Sequence, residues 1–129
     1  MDIDKLRKLS QEGQKNIEKF CNPRQIAQEI TSKLEIEATK CAQAGKKNAR
    51  VSYVIWSRSC SHEQYNKHDI QEGPLVNCAN RSDLSRVLFD VVKNYITDNE
   101  IQLRLEEFND KLSPASFWQG AKIIADLSW

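Results

Sequence analysis

Between Ala49 and Arg58 the chain reads Ala-Arg-Val-Ser-Tyr-Val-Ile-Trp-Ser-Arg. This run is rich in β-branched and aromatic residues and has the length of a strand. Strict alternation sends Val51, Tyr53 and Ile55 to one face and Val54 and Trp56 to the other. A strand that is apolar on both faces is expected inside a sheet, covered on both sides. The chain must therefore supply more strands, and helices to cover them.

The helices are legible from period and punctuation. Asn22-Pro23-Arg24-Gln25 is a helix start: Asn caps, Pro suits the first turn, and Gln three residues on can return the capping bond. Ile26, Ile30, Leu34 and Cys41, with Ala27 and Ala38, make one stripe to about Ala44, and Gly45 is the expected left-handed stop. Cys41 lies on that stripe and reads as a small core residue. Residues 2–20 have helical spacing at Ile3, Leu6, Leu9, Ile17 and Phe20, with Gly13 as a weak point. Lys5, Arg7, Lys8, Lys15 and Lys19 are interspersed with Asp2, Asp4, Glu12 and Glu18, the pattern of a solvated amphipathic helix. A third helix starts at Asn80 or Ser82 and buries Leu84, Val87, Leu88, Val91, Val92 and Tyr95.

Glu100 to Phe108 alternates, with Ile101, Leu103 and Leu105 inward, and Asn109-Asp110 is turn chemistry. Residues 121–129 alternate as a strand, although Ser113-Pro114 also suits a helix start. The expected fold is α+β: about three mainly antiparallel strands packed with three helices, in the order ααβ-loop-αββ. The chain reads as one domain over 1–129: an N-terminal amphipathic helix (1–22), a helix plus the central strand (23–57), a long polar loop (58–80), and a helix plus β-hairpin (81–129).

The loop expected at 58–80 lacks a sustained period, apart from the short strand-like pair Leu75-Val76 after the turn signal Gly73-Pro74. It holds both histidines and two of the four cysteines, as Cys60, His62, His68 and Cys78. Those four are a candidate zinc set, although Cys-x-His is tighter than the usual ligand spacing and the other gaps fit no common finger. No cofactor is expected otherwise. A cysteine nucleophile would need Cys60 or Cys78 beside one of these histidines and an acid such as Glu63 or Asp69. No glycine-rich phosphate loop, Gly-x-Ser-x-Gly elbow or His-Glu-x-x-His motif is present, so an enzyme is not expected.

Nineteen Lys and Arg stand against eighteen Asp and Glu, a balance that gives little general attraction for phosphate. The nucleic-acid alternative rests on Lys46, Lys47, Arg50 and Arg58. No stretch approaches the ~20 apolar residues of a membrane span, and the acidic start Met1-Asp2-Ile3-Asp4 lacks a signal-peptide pattern. The expectation is a cytoplasmic protein with reduced thiols and no membrane partner. Exposed aromatics are the remaining lead. Tyr65, Trp118 and Trp129 are the candidate partner-binding residues, Trp118 because a neighbour of a buried Phe117 faces outward.

The helix Ile26–Ala44 ending in Gly45-Lys46-Lys47, the strand Val51–Trp56, the helix Leu84–Ile96 and the closing Ile123-Ile124-Ala125-Asp126-Leu127-Ser128-Trp129 resemble, at the level of fold pattern, small proteins of large DNA viruses and phages. Many of those have no assigned activity, and others bind and block host defence proteins. The resemblance implies a non-enzymatic module that binds, blocks or recruits a host protein in the host cytoplasm. A self-assembling virion component, associating through the edge of the C-terminal strand, is a further alternative.

Overall fold

The computed structural model describes residues 1–63, 66–113 and 116–129. The elements are α1 (Ile3–Asn16), a 3-10 turn (Ile17–Lys19), α2 (Pro23–Gln43), β1 (Asn48–Glu63), β2 (Asn66–Glu72), α3 (Arg81–Tyr95), β3 (Gln102–Ser113) and β4 (Ser116–Ser128). The fold is α+β, but with four strands rather than three. They form one antiparallel sheet in the order β2-β1-β4-β3.

The loop expected over 58–80 is largely absent. β1 continues to Glu63 and β2 returns alongside it, pairing Ser57 with Glu72 through Glu63 with Asn66. Only residues 73–80 connect β2 to α3, and Leu75-Val76 lies in turns rather than in a strand. Asn109-Asp110 is likewise not a turn, because β3 runs through it to Ser113. The last segment is a strand from Ser116 and not a helix.

The helices form as their punctuation requires. Asn22 Oδ1 accepts from Gln25 N–H at 3.2 Å, with Pro23 in the first turn. At the other end Gly45 takes φ +82°, and Lys46 N–H reaches Cys41 O at 2.8 Å while Gly45 N–H reaches Ala42 O at 3.0 Å. This is a Schellman stop that only a residue tolerant of positive φ closes without strain. α3 differs from expectation at its start, where Asn80 makes no side-chain capping bond.

The core lies between one face of the sheet and α2 with α3. Ile26, Ala27, Ile30 and Leu34 of α2, Leu88, Val91 and Val92 of α3, Ala49, Ile55 and Trp56 of β1, and Ala121, Ile123 and Ala125 of β4 form one buried cluster. The pairing of β1 with β4 shifts register between Val54 and Trp56, so Ile55 and Trp56 both join that cluster. Ile55 has no partner in β4, and its carbonyl accepts instead from Leu75 N–H of the connecting turn at 3.1 Å. The bulge explains why β1 reads as apolar on both faces without being covered on both. Arg50, Ser52, Arg104 and Trp118, on the far side of the sheet, are exposed.

α1 stands apart from this core. None of its residues is buried, and Ile3, Leu6 and Leu9 are each about half exposed. The side it turns toward α3 carries Gln11, Gln14 and Lys15, which line a cavity with Val91, Asn94 and Tyr95. Ile17, just beyond α1, is the residue that anchors this end in the core.

Candidate interaction surfaces

The uncovered face of the sheet is built from every second residue of β1, β3 and β4. Strand register sets Asp126 between Arg50 and Gln102, Ile124 between Ser52 and Arg104, Lys122 between Val54 and Glu106, and Trp118 between Ser59 and Asp110. Near the open end the surface becomes aromatic. Phe108 and Trp118 lie diagonally across β3 and β4 with ring centroids 4.3 Å apart and planes tilted by 40°. Lys122 Nζ lies 5.6 Å from the Phe108 centroid and 5.9 Å from that of Trp118. Gly120 is directly opposite Phe108, and a Cβ there would stand 2.7 Å from Phe108 Cζ and 2.9 Å from Ser57 Cα. The glycine is what lets the ring lie flat across β4. Ile70 of β2, paired with Ser59, extends the same apolar end and is 57% exposed.

The charges on this face are balanced. Arg50 binds Asp126 at 2.6 Å, and Lys122 faces Glu106 at 3.8 Å. The side chain of Arg104 makes no hydrogen bond or ion pair with a described residue. Three cations and three carboxylates (Glu106, Asp110 and Asp126) therefore alternate over the three longer strands.

The four cations of the nucleic-acid alternative do not form one patch. Arg50 and Arg58 point to opposite faces, separated by the Val54–Trp56 register shift. Asp126 holds Arg50, and Asp69 holds Arg58 at 3.1 Å with a second bond at 3.3 Å. In each case the hydrogen bond first, and then the opposite charge, raise the guanidinium pKa. Lys46 and Lys47 lie in the turn after α2.

The two partner-binding candidates among the described residues, Trp118 and Trp129, are also separated. Trp118 faces outward, 38% exposed, as expected of its position. Trp129 is exposed too, but it lies eleven residues further along the chain, just past the end of β4 and about 37 Å away for an extended chain, with its N–H on Lys47 O at 3.0 Å. Tyr65 lies outside the described residues. Sequence reasoning missed Phe108, Lys122 and Ile70. Phe108 carried the one available signal, since it continues the alternation of Gln102, Arg104 and Glu106 on the solvated side as the lone apolar residue.

Of the zinc candidates, Cys60 is buried in β1, opposite Asp69 and Phe117. Cys78 lies in the connecting turn and packs on the core. Its thiol neighbour is Cys21: burial first, then Cys78, pushes the Cys21 thiol up to about 11. Among the described residues no group of three His, Cys, Asp or Glu comes together to hold a metal ion. The backbone of His62 pairs with Lys67 and that of His68 with Ser61, while both side chains lie outside those described. No helix among the described residues is long and apolar enough to cross a membrane.

A cavity of about 230 Å³ opens between the start of α3 and the sheet, lined by Trp56, Ser82, Glu107, Phe108, Asn109 and Gln119 among others. Trp56 is held beneath Arg81, whose guanidinium carbon is 4.1 Å from the ring centroid, and its buried Nε1–H has no acceptor among the described residues. Glu107 is bound by Arg86 through two bonds of 3.2 Å.

Compared with models of known protein families, with curated proteins and with solved structures, the chain matches none.

Proposed function

We propose that this protein is a binding module that recognises another protein through the uncovered face of its sheet, with the Phe108–Trp118 pair and Ile70 as the apolar centre. The observation that carries this reading is a tryptophan and a phenylalanine packed together on an open sheet face, aligned by Gly120 and flanked by Lys122. Preorganised aromatics lose little conformational freedom on binding and are the usual anchors of protein interfaces. The alternating charges around them suit a partner of mixed charge and give no net attraction for a phosphate backbone. A host protein is the partner that the viral resemblance would supply.

The test is affinity capture from an extract of the producing cell, with nuclease added, using the wild type and the Ile70→Ala/Trp118→Ala double variant. A protein retained by the wild type and lost from the variant at unchanged melting temperature supports the reading. Equal retention by both, or retention abolished by nuclease, contradicts it.

A further inference from the structure

The sheet ends on β3, whose pairing is with β4 alone. Among the described residues no backbone hydrogen bond leads from the opposite side of β3 to any other element. A free edge of 12 residues offers a row of unpaired N–H and C=O groups, and another strand is the structure that satisfies them all. The C-terminal strand is not such an edge, because β4 is paired with β1 on one side and β3 on the other.

We infer that the β3 edge pairs with the β3 edge of a second copy, antiparallel about a two-fold axis at Leu105, joining two sheets into one of eight strands. In such a pair each residue faces its counterpart reflected through the axis, and directly opposed residues share a face. An axis at Leu103 sets Glu100 against Glu106 twice. An axis at Arg104, Glu106 or Glu107 sets that charge against itself, and one at Phe108 sets Glu106 against Asp110 twice. An axis at Asn109 would set Lys111 against Glu107, which Arg86 already holds through two bonds of 3.2 Å, whereas Lys122 stands 3.8 Å from Glu106 and leaves that carboxylate open to a second cation. An axis at Leu105 sets Arg104 against Glu106 twice, brings Leu105 against Leu105 and places Gln102 beside Phe108. It gives a partner to Arg104, the one cation of the uncovered face without a partner among the described residues. It also covers Leu105, which the monomer leaves only partly buried at the sheet edge.

Sedimentation equilibrium of the full chain from 1 to 100 μM tests this register. The wild type is expected to approach twice its 14.9 kDa mass. Arg104→Glu alone and Glu106→Arg alone each create two like-charge oppositions and should weaken association about tenfold or more. Mixed in equal amounts they restore both attractions, so the mixture should dimerise like the wild type while each alone does not. This rescue is specific to the Leu105 axis and also reports that both variants are folded. A wild type that stays monomeric, variants that dimerise undiminished, or a mixture that is not rescued would each overturn the proposal. None of these outcomes bears on the Trp118 surface, which the capture experiment with Ile70 and Trp118 reads separately.

Discussion

At single residues, close packing and burial set clear expectations. Gly120 and Gly73 are positions where a methyl group has no room. At Gly73 a Cβ would stand 2.7 Å from Trp56 Cα, and φ is +97°. Gly120→Ala must displace Phe108 or the β1 backbone, an overpacking cost of about 1–3 kcal/mol that urea unfolding would read. Trp56→Phe removes a buried N–H that has no acceptor among the described residues, which offsets the lost ring area. It should change stability by less than about 1 kcal/mol, whereas Trp56→Ala should cost about 3–5 kcal/mol. The Cys21 thiol, raised to about 11 by burial and by Cys78, binds its proton more tightly in the folded chain than in the unfolded one. Its contribution to stability is therefore complete below the ordinary thiol range and is lost as pH rises from there toward about 11. Below pH 9 Cys21 should react slowly with iodoacetamide in the native protein and quickly in urea; equal rates would contradict the burial assigned to it.

At the scale of elements, α1 and Ile17 make opposite predictions. α1 buries no residue, so a chain beginning at Ile17 should lose no more than about 1 kcal/mol of stability. Ile17→Ala, at a fully buried position, should cost about 2–5 kcal/mol. Thermal or denaturant unfolding of the two variants checks the contrast. The same division explains what could be read from the sequence. α2 and α3 each pack a stripe against a core, so period and punctuation identify them. β2 and the outer half of β1 extend away from the helix layer, where Ser57, Ser59, Asp69 and Gln71 carry no apolar alternation. Their pairing rests on backbone ladders and on the Arg58–Asp69 bond, and neither leaves a periodic trace. The bulge at Ile55 misleads in another way: it brings Trp56 onto the core side, so a strand covered on one face reads as covered on two.

Across the whole molecule, the consequence is a two-layer protein with one sheet face left open. Trp118 was legible as an outward residue from its own neighbourhood. Its partners Phe108, Lys122 and Ile70 come from three different strands, and only the order β2-β1-β4-β3 brings them together. Arg50 and Arg58 show the converse, being close in sequence and divided by the sheet. The most direct measurement places a photo-reactive phenylalanine analogue at position 118 and, separately, at position 129, and identifies what each cross-links in the producing cell. A protein adduct at 118 that is absent at 129 is the predicted result. No protein adduct at 118, or one at 129 alone, would contradict recognition through the open sheet face.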